Sequence, residues 1–420
     1  MLRKVLIFFV AGAVFVAWGA DEAVVEKEGS SAGRYLEFRD DASRKLTDEQ
    51  REQIQQLEAI GYFGGKVERP FTSGVVIHDK ARCFEGYNFY TSGHAQEALL
   101  VDMDGKVVHR WAKDPGEVWD ADIPNTRYWR RGHLFENGDI LVIYEGYGIA
   151  KLTKDSEVIW KSQCKAHHDV DVTADGHIYL LTRKAHLAPD IHPDKPILED
   201  FLAVLDADGK MIKEMSLLGA FQQSDYHSIW DASRVRSGDL FHTNSVRVLD
   251  GVAGAPAFAK GNVLLSMPVL NAVAVVDLIA EKVVWANQDI YRLQHDARIV
   301  EKNHLLIFDN HGPEGDFSRV LEYELPGMKV VWDYTGTPER PFFSAACGTA
   351  MRLPNGNTLI AESDNGRAIE VTREKEVVWE FISPHRAGEN GKLIATLFEM
   401  VRLPSDFPLG WAQGAPPASP

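Results

Sequence analysis

Six times between residues 106 and 379 the chain returns to one short phrase: a charged residue, an apolar and mostly β-branched pair and, in five copies, a tryptophan. The copies are Lys106-Val107-Val108 leading to Trp111, Glu157-Val158-Ile159-Trp160, Lys210-Met211-Ile212, Lys282-Val283-Val284-Trp285, Lys329-Val330-Val331-Trp332 and Glu376-Val377-Val378-Trp379. A phrase recurring at this spacing marks one supersecondary unit stacked on copies of itself. Within each unit, runs of Val, Ile, Leu, Tyr and Trp alternate with Gly, Asp and Asn turns, the texture of short strands. The fold class this predicts is all-β, a six-bladed β-propeller.

The unit openings share one register. They include Gly132-His133-Leu134, His168-Asp169-Val170, Asn244-Ser245-Val246, His295-Asp296-Ala297 and Gly348-Thr349-Ala350. The fourth unit carries an insertion over residues 251–261. A propeller has to close, because an open first or last blade exposes a sheet edge. Phe398-Glu399-Met400-Val401-Arg402-Leu403-Pro404 repeats the inner-strand pattern of residues 348–354. It is expected to be the innermost strand of blade one, whose outer strands come from residues 87–111. The propeller is thereby assigned to residues 74–408, and the Gly, Ala, Pro and Ser tail over 409–420 to disorder.

Upstream of the propeller, Arg3 and Lys4 precede an uncharged apolar run from Val5 to Trp18, with Ala17 and Gly19 at signal-peptidase positions. Residues 1–20 read as a signal peptide or membrane anchor, and the protein as periplasmic or secreted, with membrane attachment if the segment stays uncleaved. Residues 21–73 read as a polar spacer and a short helical arm, opened by the capping box Thr47-Asp48-Glu49-Gln50. The formal net charge of −16 and the lack of a basic stripe exclude nucleic acid as a partner. Cys83, Cys164 and Cys347 form no CxxC pattern. In an oxidising compartment two of them could pair, or all three could stay as isolated buried thiols.

Rotational repetition turns the alignment into a spatial expectation. Counting back from each turn glycine to one register places Arg130, His168, Asn244, His295, Gly348 and Phe398 around the mouth of the central channel. His242 lies two positions before Asn244 and reaches the same space, and His167 and Arg131 neighbour ring members. Convergent titratable groups in a concavity mark a site. Two chemistries suit a ring of histidines: metal binding with an open position, and nucleophilic catalysis in which one imidazole attacks and another manages protons. Asp169 and Asp296 each follow a ring histidine, as orienting carboxylates or as turn residues. Asp309-Asn310-His311 reads as a turn, Glu145 and Tyr147 as structural, and residues 185–200 as a Pro-rich surface loop.

Across residues 74–404 the chain resembles the bacterial arylsulfotransferases. The resemblance rests on His167-His168-Asp169-Val170, on Phe241-His242-Thr243-Asn244-Ser245, on Gln294-His295-Asp296-Ala297-Arg298 and on Phe308-Asp309-Asn310-His311-Gly312, taken in order. It implies a six-bladed propeller that moves a sulfuryl group from a phenolic sulfate ester to a phenolic acceptor. No nucleotide donor and no cofactor are implied. It also implies that His295 is the nucleophile, that His168 and His242 are channel histidines and that Asn244 is the asparagine of a His-x-Asn motif. Thr349, Arg298, Arg130 and Arg131 are the expected substrate-binding residues. One position departs from the family: where an arginine follows in a Ser-x-Arg context, this chain has Ser266-Met267-Pro268. The rival readings are a metal-dependent propeller lyase or hydrolase using the same histidines, and a non-catalytic ligand-binding propeller.

Overall fold

The structure is a computed structural model that describes Thr47 and residues 72–412, apart from 120–127, 289, 302, 316 and 388–392. The segments read as signal or anchor, spacer and helical arm lie outside the described residues. By spatial clustering the chain divides into a large unit and a small one, the small one holding Thr47 and residues 185–198 and 235–240 of the described chain.

Among the described residues, six sheets of four or five strands make up the propeller, antiparallel but for one short parallel pair. Blade two runs Trp129–Leu134, Ile140–Tyr144, Gly148–Leu152 and Val158–Ser162, innermost strand first. Blades four and five repeat the scheme from Ser245–Val248 and His295–Val300. The insertion in blade four lies between its first two strands and carries a 3-10 turn at Pro256–Phe258. Each recurring phrase is the fourth strand of its blade, counted from the channel. Its tryptophan stitches one blade to the next. Trp111 Nε1 donates to the Gly138 carbonyl, Trp160 to Ala207, Trp332 to Arg373 and Trp379 to Met103, at 2.9–3.0 Å. In blade four Trp285 packs on Phe258 instead, with ring centroids 4.8 Å apart. A β-carbon on Gly209 would stand 2.4 Å from the Trp160 ring, so that turn has to stay glycine. Between blades the facing sheets bury aliphatic layers, such as Leu141, Ile143 and Ile149 against Val170, Ile178 and Leu180.

Closure follows the expectation for blade one and adds a second device. Leu397–Pro404 is the innermost strand of blade one, paired with Gly86–Ser92. In addition, Gly74–His78 pairs antiparallel with Val377–Ile382 and gives blade six a fifth, outermost strand. The body also runs past the boundary drawn at Pro408. Trp411 donates Nε1 to the Glu136 carbonyl at 3.0 Å and packs 5.6 Å from Trp111. The assignment of residues 409–420 to disorder is corrected here: residues 409–412 are packed chain, because the indole finds apolar cover.

Residues 185–200 are less of a loop than their prolines suggested. Ile178–Leu187 and Pro196–Leu205 are long strands, leaving residues 188–195 as the connection. Within the small unit, Ile197 and Leu198 pair in parallel with Gly238 and Asp239. After the last strand of blade three come two short helices with no periodic signal, Leu217–Gln222 and His227–Ala232. The Ser216 side chain caps the first by accepting from the Gly219 N–H. Their Phe221 and Trp230 pack on Phe241, at 5.5 and 5.7 Å between centroids, and so brace the segment entering His242.

Candidate active site

The innermost strands of blades two, three and five are bulged where they reach the channel mouth, between Trp129 and Gly132, between His167 and Val170, and between His295 and Arg298. A bulge breaks strict alternation and re-aims side chains, which is why bulges gather near active sites. His168, His242 and Asp296 take the left-handed backbone conformation, with φ of 56°, 54° and 53°. That region is uncommon for residues with a β-carbon, and strain of this kind concentrates at functional sites.

The bulges bring the expected histidines together. His168 and His242 stand edge to face, 4.8 Å between centroids, with His167 5.0 Å from His168. His167 and His168 are buried, as are His295 and Arg130, and His242 is half-buried. Burial pushes the His242 imidazole down to about 4. Burial likewise pushes His295 down to about 3, opposed by its hydrogen bond to Asn310 and assisted by the nearby Arg130 and His242 charges. His168 lies well below the usual imidazole value through burial and the Arg130 cation, and His167 through burial and Arg183. At neutral pH the cluster is therefore a set of neutral imidazoles beside buried guanidinium groups.

The tautomer of His295 is fixed. Its Nδ1 lies 3.0 Å from the Leu293 carbonyl and 2.8 Å from Asn310 Oδ1. The Asn310 amide cannot turn over, because its Nδ2 donates to the Ser344 and Cys347 carbonyls at 2.9 and 2.7 Å. Nδ1 faces two acceptors and carries the proton, so Nε2 holds the lone pair. Asn310 was read from the sequence as part of a turn; the structure makes it the residue that orients His295. Glu145, read as structural, is also at the site. It accepts from the His168 backbone N–H at 3.0 Å and stands 3.7 Å from His168 Nδ1.

The other expected residues divide. Asn244 Nδ2 donates to the Gln294 carbonyl at 2.9 Å, tying the fourth blade to the residue before His295. Thr349 is buried at the head of the inner strand of blade six. Arg130 lies 3.3 Å from Cys347 Sγ and 4.5 Å above the Phe398 ring, and Phe398 in turn packs on Tyr128 at 4.7 Å. Arg131 turns to carboxylates, 2.9 Å from Glu399 and 3.7 Å from Asp169. Arg298 pairs with Asp296 at 2.9 Å. Asp169 and Asp296 do not orient the imidazoles. They accept from the Val246 and Ala350 backbone N–H groups of the next blade, at 3.0 and 2.9 Å, and Arg247 bridges them. Burial alone would push the Asp296 carboxyl up, but Arg298, Arg247 and Arg131 hold it well below the usual range. Pro268 is buried and opens a 3-10 turn after the strand Val263–Met267. Cys83, Cys164 and Cys347 are all free thiols.

For a metal, Glu145, His167 and His168 offer ligand atoms within 4.8 Å of one another. Yet His167 and His168 share a 2.7 Å hydrogen bond between their Nδ1 atoms, and the Arg130 and Arg183 charges depress both imidazoles. That field favours an anion over a cation.

Comparison with known proteins agrees with this architecture. The sequence model of a family described as Arylsulfotransferase (ASST) matches residues 133–384, more than half of the chain. No curated protein matches. Among solved structures the chain is similar to a protein of unknown function from Bacteroides caccae, at 12% identity and a TM-score of 0.50, over 75% of this chain and 98% of that one. It is also similar to a streptogramin B lyase, at 12% identity and a TM-score of 0.42, over 81% and 97%. A WD40 propeller domain of Doa1 matches at 12% identity and 0.44, over the same shares. At such identity the first likeness bears on the fold alone.

Proposed function

Because this chain belongs to the arylsulfotransferase family, we propose that it moves a sulfuryl group from a phenolic sulfate ester to a phenolic acceptor, with His295 carrying the group covalently. The observation that carries this reading is the locked His295 ring, whose Nδ1 proton is held by the Leu293 carbonyl and Asn310 Oδ1. The Nε2 lone pair attacks sulfur, the bond from sulfur to the aryl oxygen breaks, and the phenolate leaves with the electron pair. Positive charge then builds on the ring. The two hydrogen bonds from Nδ1 strengthen as it builds, which stabilises the transition state more than the ground state. The buried Arg130 guanidinium offsets the negative charge on the sulfuryl oxygens and takes the place of the arginine that Pro268 replaces. Tyr128 and Phe398 supply an aromatic wall for the aryl ring.

In the second half-reaction neutral His242 accepts the acceptor's phenolic proton. The phenol oxygen attacks sulfur, the sulfur–nitrogen bond breaks, and its electron pair returns to Nε2. The bound sulfuryl group's negative charge raises the depressed His242 value and makes it a better base. We place the reaction in the periplasm or outside the cell, on the character of residues 1–20. Among the described residues no helix is long and apolar enough to cross a membrane.

Incubation with a chromogenic aryl sulfate and a phenol is expected to give ping-pong kinetics, and donor alone a sulfuryl mass adduct on His295. His295→Asn is expected to lose turnover and adduct together while keeping its thermal melt. Turnover by that variant would end the assignment.

A further inference from the structure

The seam where the propeller closes carries a cluster the transfer chemistry does not use. From the outermost strand of blade six the chain passes through residues 79–85 into blade one at Gly86. Two residues of this connection, Cys83 and Glu85, meet His78 at the end of that strand, with one ligand atom from each within 4.8 Å of the others. His78 Nε2 is 3.0 Å from Glu85 Oε1, and Cys83 Sγ is 3.4 Å from the same oxygen. Donors bound at the usual distances around a tetrahedral zinc stand about 3.3–3.6 Å apart, so the Glu85 oxygen already stands at nearly that spacing from each of the other two donors. The second ring nitrogen, Nδ1, lies 2.9 Å from Asp104 Oδ1 in a turn of blade one. A metal-bound imidazole almost always gives its other N–H to such a partner, which fixes the tautomer and leaves the ligating nitrogen free.

We propose that His78 Nε2, Cys83 Sγ and Glu85 Oε1 form a zinc-type divalent-cation site, with Asp104 orienting the imidazole and a fourth position left to water. The donor set decides the class of ion: a thiolate and an imidazole with one carboxylate suit zinc and disfavour calcium and magnesium, which take oxygen. Thiolate and carboxylate together neutralise the ion. Glu85 is half-exposed, with 47% of its side chain accessible, so the ion has an entry path. The site ties the entry strand of blade six to blade one, across a seam that also holds the buried Arg402–Glu370 ion pair at 2.8 Å.

The test is zinc binding by the full chain. Protein loaded with zinc chloride and desalted is expected to retain one zinc per chain, and to melt at a higher temperature than protein treated with chelator. Cys83→Ser and His78→Ala are expected to lose the bound zinc, and Asp104→Asn to keep the stoichiometry with affinity weakened about 10- to 100-fold. Should the Cys83 and His78 variants fail to fold, cobalt(II) added to the wild-type chain decides, through a thiolate-to-cobalt charge-transfer band. Wild-type protein that retains no zinc, zinc that survives Cys83→Ser, or cobalt without the charge-transfer band would overturn the site.

Discussion

His168 and His295 are followed directly by Asp169 and Asp296, and the two layers they form could hardly differ more. The imidazoles at the channel mouth are buried among cations and are neutral because burial and Arg130 drive their pKa values down. One residue further on, the carboxylates are just as buried, yet Arg298, Arg247 and Arg131 hold the Asp296 carboxyl well below the usual range. Arg247, Arg298 and the backbone N–H groups of neighbouring blades compensate them. Equal burial thus yields opposite electrostatic outcomes, and the partners decide which. The charged layer holds adjacent blades in register, while the neutral layer above it keeps its reactive nitrogens.

The two layers can be broken separately. Removing a charged member carries the largest expected effect. Asp296→Ala leaves Arg247 and Arg298 without a shared carboxylate, and a loss of about 3–5 kcal/mol is expected by chemical denaturation. A loss under about 1 kcal/mol would show that the charged ring does not hold the blades. The neutral layer is broken with acid. His242 falls from 6.5 to about 4 on folding, so between those values the unfolded chain binds a proton that the folded chain does not. The stability it contributes is intact above pH 6.5 and is lost as pH falls toward 4, roughly 3 kcal/mol in all. Denaturation midpoints across this window are expected to fall with pH in the wild type and to fall less steeply in His242→Gln, where the depressed His167, His168 and His295 still contribute.

A finer cut separates position from presence. Asn310→Ala leaves His295 in place but frees its ring, and kcat is expected to drop about 10- to 100-fold with KM held. Asn310→Asp restores the acceptor and adds charge, which moves the acid limb of the pH–rate profile to higher pH. An Asn310→Ala change confined to KM would contradict the tautomer lock. The smallest effect is expected at the rim. Trp332→Phe deletes the hydrogen bond to the Arg373 carbonyl and is expected to cost about 1 kcal/mol in stability with kcat unchanged.

Much of this was legible beforehand, for reasons that particular residues show. The recurring Val-Val-Trp phrase was readable because each copy forms the same outer strand, and in four of them the indole reaches the next blade. The closing strand repeats an inner-strand pattern and was found by it. His168, His242 and His295 were placed together because equivalent positions of a rotational repeat converge on the axis. Asn310 and Glu145 were not found, since residues after a second strand look like turn chemistry whether or not they reach back to the channel. Their signal was their place, each directly beyond a second strand on the side where the histidines sit.

By itself the chain's order of residues determined the repeat, its closure and the ring of imidazoles, because hydrophobic periodicity and turn residues are local properties. Only the tertiary structure decided where Asp169 and Asp296 point, which nitrogen of His295 holds the proton, and that the strand Gly74–His78 adds to the sixth blade. The physical reason is shared. A bulge with a left-handed residue breaks the two-residue alternation on which side-chain direction depends, and an edge strand's partner is chosen by an unpaired backbone brought close only when the ring closes.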